Sequence, residues 1–335
     1  MSWEILRSRP TEGSPPARMR RIAIGEVVLG VLLLLTAYVL LLLDVGTTAT
    51  WFYALAWWPT IVALDGLNFL LAGESLILSR RRTFLLLLPL SVTLWLIFEV
   101  CNFRLQNWSY VSAPRMLMLR WTGMTVCFAT VLPAIFEIAD LLQALRWPLA
   151  VRVRPLKPGP RLRMGFVVVG AGFLISPLLF PTIAFPLIWG AFFFLLEPWL
   201  YQRGRKSLLR EWEYGSLLTV TRLLIAGLIT GGLWEFFNFW AGSKWIYTVP
   251  HLDGWKIFEM PILGFLGFPP FALECFVMSE AAPLIVSFTR RGWKVALLVL
   301  LILAFWLAAF AGIDRFTVTS YETVRSRDTH LMIPK

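Results

Sequence analysis

Histidine is almost missing from this chain. The 335 residues hold two, His251 and His330, and both fall outside the long apolar runs. Haem carried by paired helix histidines inside a bilayer is thereby excluded, as is a histidine-rich metal centre. Cysteine is nearly as scarce. Cys101, Cys127 and Cys275 lie within or at the ends of apolar runs without CxxC spacing, so neither a disulfide framework nor a zinc site is expected. They read as small apolar residues in helices. No metal and no cofactor is expected. Charge is thin as well: Asp, Glu, Lys and Arg make up 15%, against about 25% in soluble domains.

What fills the gap is apolar. Hydrophobic residues reach 58% and the mean hydropathy is +0.71, above the roughly 45–50% of globular chains. No soluble core of this size could hide that surface, so soluble enzymes and nucleic-acid-binding proteins are excluded as wholes. The expected fold class is all-α, a polytopic membrane bundle. A helix crosses the hydrocarbon with about 20 apolar residues. Nine stretches qualify: about 22–43, 50–72, 83–104, 117–142, 164–180, 182–201, 215–240, 259–286 and 294–313. The first follows Arg18, Arg20 and Arg21 and has no small-residue cleavage site, so it reads as a signal anchor.

The net charge of +11 is distributed by side. With nine spans, the segments sharing a side with the N-terminus hold 21 Lys and Arg, and the loops and helix ends opposite hold five. The positive-inside rule then places the N-terminus in the cytoplasm and the C-terminus outside a cell (inner) membrane. The charge is a topology device facing anionic lipid, with no nucleic-acid partner implied.

The two halves resemble each other. Glu99, Asn102 and Phe103 return as Glu235, Asn238 and Phe239, at an offset of 136. Trp108 and Tyr110 return as Trp245 and Tyr247, and Pro133 and Glu137 return as Pro270 and Glu274, at an offset of 137. Trp57 and Asp65 match Trp189 and Glu197 at an offset of 132. Four spans per unit make both copies enter the membrane in the same direction, as parallel repeats about a pseudo-twofold axis along the membrane normal. The expected organisation is an N-terminal cytoplasmic segment 1–21, a first repeat 22–143 and a second repeat 164–286. A basic, Pro-rich cytoplasmic linker 144–163 joins them; a ninth span 287–313 and a polar, poorly ordered tail 314–335 follow.

Chemistry is sought at the acids, because an ionisable group at mid-membrane is costly and faces the bundle interior. Six candidates form three pairs: Asp65 and Glu197, Glu99 and Glu235, Glu137 and Glu274. Burial in a low-dielectric interior favours a neutral carboxylic acid, and a neutral acid is a proton donor. Asn102 and Asn238 lie three residues after Glu99 and Glu235 and share their helix faces, which suggests amide–carboxyl pairs. Each acid also has a plainer reading, as a hydrogen-bonding tie between helices. Glu26, Glu74, Asp140 and Glu280, nearer span ends, are expected to be solvated or paired with basic loops. Tryptophan is abundant, with 17 residues. Trp57 and others fit interfacial belts. Trp95 and Trp234 adjoin Glu99 and Glu235, where an aromatic face can stabilise a developing cation, though ordinary helix packing explains them equally. The aromatic stretches after the third and seventh spans, with Trp108, Tyr110, Trp245 and Tyr247, could cap the bundle or line an entrance from lipid.

The run Trp245, Ile246, Tyr247, Thr248, then Leu252, Gly254, Lys256, Phe258, Pro261 and Leu263, resembles membrane-integral carotenoid-biosynthesis proteins of the carotenoid hydratase type. A duplicated bundle with intramembrane acids is also similar to the integral-membrane lycopene cyclases. The resemblance implies an enzyme acting on a lipid-soluble isoprenoid. The chain departs from the Pro-x-Glu-Glu pair of those cyclases: Pro133 to Glu137 and Pro270 to Glu274 carry one acid each. Three functions follow as expectations: an isoprenoid-modifying enzyme protonating a C=C bond, a proton-coupled transporter, or a structural subunit of a membrane complex.

Overall fold

A computed structural model describes residues 16–145, 151–250, 255–287, 292–320 and 323. His251, Leu252, Gly254 and His330 fall outside them, as do Arg146, Trp147, Arg290 and Arg291. Among the described residues, nine helical stretches are long and apolar enough to cross a membrane.

The first two spans are α1 (Ala17–Leu42) and α2 (Thr48–Ala72). Ala23, Gly30 and Ala37 recur every seven residues and are the buried face of α1. A Cβ on Gly30 would stand 2.5 Å from the Pro59 carbonyl oxygen, and one on Gly66 would stand 2.5 Å from that of Ala23. Small residues let the two backbones approach closely, the usual means of helix association in lipid. The rest of α1 exposes Val28, Leu32 and Leu35, as a lipid-facing surface does.

Next come α3 (Arg81–Leu105), β1 (Trp108–Val111), α4 (Leu117–Phe128) and α5 (Val131–Ala144). The fourth span is broken between α4 and α5, and the Ser91 hydroxyl of α3 sits in the break. It donates to the Phe128 carbonyl at 2.6 Å and accepts from the Leu132 amide at 3.1 Å. A hydroxyl has inserted into an i→i−4 bond, next to Pro133, which has no amide hydrogen to give. Helix α5 is buried along nearly its whole length and packs on α2 and α3.

The second half begins with α6 (Pro160–Leu179). The sixth span follows in pieces: the single turn α7 (Pro181–Ala184), a 3₁₀ turn at Phe185–Gly190 and α8 (Ala191–Gln202). Then come α9 (Leu208–Glu213), α10 (Leu218–Trp240), β2 (Lys244–Tyr247), β3 (Lys256–Ile257) and β4 (Met260–Pro261). A 3₁₀ turn at Ile262–Gly267 leads into α11 (Phe268–Ser287); α12 (Gly292–Phe316) and β5 (Val318–Thr319) end the described chain. Helix α11 packs on α8 and α10, and α10 also packs on α5, which joins the halves.

The bundle is helical, as expected, and carries a small sheet: β1 lies between β2, antiparallel, and β5, parallel. One expectation needs correction. The tail is ordered at its start, because Thr317 accepts the Tyr110 amide at 2.8 Å and Asp314 holds Arg120 at 2.6 Å. The described part of the linker is hydrogen-bonded to the chain ahead of α10. Residues 151–156 lie along 212–217, with the Val153 amide on the Gly215 carbonyl and the Leu217 amide on the Val151 carbonyl, both at 3.0 Å.

Candidate functional site

The three acid pairs do three different things. Asp65 and Glu197, near the ends of α2 and α8, fasten the loops that follow. Asp65 accepts from Ser75 Oγ at 2.7 Å and from the Ile77 and Leu78 amides. Glu197 accepts from Ser207 Oγ at 2.5 Å and from the Leu209 amide at 2.8 Å. In both halves the serine follows its acid by ten residues and the amide by twelve. These two proposed catalytic residues are loop ties, and neither lines the cavity described below. Asp140 and Glu280 behave as expected of span-end acids. Asp140 pairs with Arg80, and Glu280 with Arg205 at 3.1 Å.

Glu137 and Glu274 are fully buried helix ties. Glu137 accepts from Asn68 Nδ2 at 2.6 Å. Glu274 accepts the Phe192 amide at 2.8 Å, so it caps the N-terminus of α8 from across the bundle. That amide is freed by the break in the sixth span, and the positive end of the helix dipole favours a carboxyl there.

Glu99 and Glu235 each face aromatic residues of the small sheet. On α3, Glu99 Oε1 accepts three hydrogen bonds: Trp95 Nε1 at 2.8 Å, Trp108 Nε1 at 3.0 Å and Tyr110 Oη at 2.5 Å. Trp95 is one turn before Glu99 on the same helix. Trp108 and Tyr110 are two apart on β1 and therefore share a face. On α10, Glu235 Oε1 accepts one, from Tyr247 Oη at 2.8 Å. The Oε2 of Glu235, like that of Glu99, has no partner. The Trp245 indole lies beside this carboxyl and interacts with it, but its Nε1 makes no hydrogen bond of good geometry. Burial, and then the adjacent carboxyls, push the Tyr110 and Tyr247 hydroxyls well above the ordinary phenol range, so both stay protonated donors.

The expected amide–carboxyl pairs are not formed. Asn102 donates to the Trp108 carbonyl at 2.9 Å and accepts the Asn107 amide at 2.8 Å. Asn238 donates to the Trp245 carbonyl at 2.9 Å and accepts its amide at 3.0 Å. Both asparagines hold the strand backbone so that the aromatic side chains turn toward the acids. The unpaired backbone just past a helix end offered the better partner.

Between the halves lies a cavity of about 610 Å³. Trp95, Trp108, Tyr110 and Phe128 line it from the first half, and Trp189, Trp234, Trp245, Tyr247 and Phe271 from the second. Phe271 is its hub, with its ring 5.9 Å from Trp95, 5.5 Å from Trp189 and 5.8 Å from Trp234. Of the six candidate acids, Glu235 alone lines this cavity. Glu99 is screened from it by its three donors. Trp245, Tyr247 and Leu263 of the quoted run line it, as does Met260.

Phe271, Asn68, Ser75 and Ser207 did not stand out in the sequence. The two serines were detectable through their common spacing from Asp65 and Glu197. Trp57 is not interfacial: it is fully buried, with its ring 5.2 Å from Phe237 and 6.3 Å from Trp234. Its counterpart Trp189 is the one that faces the cavity. No protein-family model matches the chain, and no curated protein or solved structure matches it either.

Proposed function

We propose that the protein is a membrane-embedded enzyme that protonates a C=C bond of a lipid-soluble isoprenoid, with Glu235 as the acid. The observation that carries this reading is a single carboxyl, fully buried and held by one donor, on the wall of an aromatic cavity between helices. The proton moves from Glu235 to one alkene carbon, a C–H bond forms, and the positive charge develops on the neighbouring carbon. The π faces of Trp234, Trp245 and Trp95 stabilise that cation. Tyr247 donates to the carboxylate left behind. Addition of water, or attack by a second double bond, followed by return of a proton to Glu235, completes hydration or cyclisation without a cofactor. Glu274 and Glu137 are engaged elsewhere, with the Phe192 amide and Asn68, so Glu235 serves both steps.

The repeat architecture belongs to the same proposal. Two parallel four-helix units, about 22–143 and 164–286, related by a twofold axis along the membrane normal, are supported by the shared loop ties and by the register of β1 and β2. Trp108 pairs with Tyr247 and Tyr110 with Trp245, around Ser109 and Ile246. Corresponding residues are thus exchanged across the ladder, as a twofold axis between the strands requires. Sidedness supports a cytoplasmic N-terminus in the inner membrane. The strands after the third, seventh and ninth spans meet at one end. The basic loops holding Arg80, Arg152, Arg205 and Arg210 lie at the ends of spans that alternate with these.

Incubation of membranes with lycopene, or with the isoprenoid alcohol geranylgeraniol, in deuterated water tests the reaction, read as carbon-bound deuterium. Deuterium enters the polyene with the wild type and with Glu99→Gln. With Glu235→Gln incorporation falls by about 10³-fold, within the range of general acid catalysis. Unchanged incorporation in Glu235→Gln removes the proposal.

A further inference from the structure

The proposed substrate can be narrowed by the polar atoms that the cavity leaves unmatched. Glu235 Oε2, Trp245 Nε1 and Trp234 Nε1 are buried without hydrogen-bond partners, and all three residues line the cavity. A buried polar atom without a partner is costly, and such atoms in native structures mark a missing partner. Two of the same cavity's other indoles differ: Trp95 and Trp108 spend their N–H groups on Glu99. What remains is a carboxyl oxygen beside indole donors, a set that matches a group able both to accept and to donate.

Charge sets the next limit. Among the described residues, Arg120 and Lys244 are the cations lining the cavity, and each is ion-paired, Arg120 with Asp314 and Lys244 with Glu259, both at 2.6 Å. A carboxylate or phosphate entering the cavity would therefore meet Glu235 without a cation to offset it. A pure hydrocarbon would leave the polar atoms unmet.

We infer that the cavity takes a lipid-soluble molecule bearing one uncharged oxygen function, a hydroxyl or a carbonyl, bound between Glu235 and the indole N–H of Trp245. This rests on the reading of the cavity as a site for a lipid-soluble substrate, but not on the proton transfer itself.

Binding of tritiated hexadecan-1-ol to the purified full chain in nanodiscs, competed by unlabelled hexadecane, hexadecanoate and hexadecyl phosphate, tests it. The alcohol is expected to bind at least about tenfold tighter than each of the other three, the size of one well-made hydrogen bond. Trp245→Phe keeps an aromatic ring and removes the N–H donor. It is expected to erase the alcohol's advantage over hexadecane, read as the ratio of the two affinities in the same variant. Equal binding of hexadecane and hexadecan-1-ol overturns the inference, as does tightest binding of the phosphate or the carboxylate. The wild-type order decides this even if the variant fails to fold. Failure of all four probes to bind overturns the cavity reading and the inference together. Tight binding of the alcohol without carbon-bound deuterium in either isoprenoid leaves the inference standing and removes the enzyme.

Discussion

Glu99 and Glu235 are counterparts in the two halves, each on a membrane helix and each hydrogen-bonded to a tyrosine on the strand that follows, yet one is sealed and the other open. The cause lies one turn earlier on each helix. Before Glu99 stands Trp95, an indole that donates to the carboxyl. Before Glu235 stands Gly231, where a Cβ would lie 2.1 Å from the Phe268 ring. The glycine lets the break ahead of α11 press a phenyl ring against α10, in space that a Trp side chain would fill. One substitution thus exchanges a donor for an apolar ring. Trp245, the counterpart of Trp108, also fails to make its bond. One carboxyl is a structural knot with three donors on one oxygen, and the other, with one donor, faces a cavity.

Leucine replacements sharpen this contrast most. Glu99→Leu leaves three buried donors, Trp95, Trp108 and Tyr110, without an acceptor, which costs on the order of 3 kcal/mol. Glu235→Leu strands one, Tyr247, and costs about 1 kcal/mol. Thermal unfolding in detergent reads the difference as a much larger fall in Tm for the first. Equal falls would break the comparison.

The two helix breaks offer a second, smaller contrast. Ser91 on α3 has Gly227 at the matching place on α10. A Cβ on Gly227 would stand 2.5 Å from the Phe268 carbonyl oxygen, so Gly227→Ala forces backbone apart and costs about 2–3 kcal/mol. Ser91→Ala removes one hydroxyl, and the Leu132 amide can return to the Phe128 carbonyl, so its cost is about 1 kcal/mol. The first break is held by a hydrogen bond and the second by close contact. The loop ties should instead behave alike: Ser75→Ala and Ser207→Ala each cost about 1 kcal/mol, and a large inequality in Tm would deny that the two loops are equivalent.

Much of this was legible from residue order, and the failures share a cause. Spans are visible because hydrophobicity is local, and the nine runs match the nine apolar helices of the described residues to within a few positions. The acids were visible because charge in an apolar run is rare. Which acid faces a cavity was not visible, since that depends on a residue one turn away meeting a side chain from the span that follows, as Gly231 meets Phe268. Asn102 and Asn238 misled for a related reason. Helical spacing pointed to the neighbouring acid, while the backbone past the helix end competed for the same amide and won. Trp57 and Trp189 match in sequence and differ in surroundings, one packed under Phe237 and the other stacked 5.3 Å from Phe98 at the cavity wall.

The tyrosines give the smallest expected effect and the closest check on symmetry, because here the halves should agree. Tyr110 and Tyr247 are both pushed well above the ordinary phenol value, by burial first and by their carboxyl partners second. A raised value means that the folded protein holds the proton more tightly than the unfolded chain. The stability this contributes is complete below about pH 10, the ordinary phenol value, and is lost as pH rises through the folded value. Phenolate absorbance at 295 nm follows ionisation directly. At pH 11 the folded wild type should show no contribution from either residue, so Tyr110→Phe and Tyr247→Phe should each leave the absorbance unchanged. In denaturant each substitution should remove one phenolate. If Tyr247→Phe lowers the folded signal and Tyr110→Phe does not, the open carboxyl admits water to its tyrosine. The contrast between the halves would then extend from hydrogen bonding to solvation.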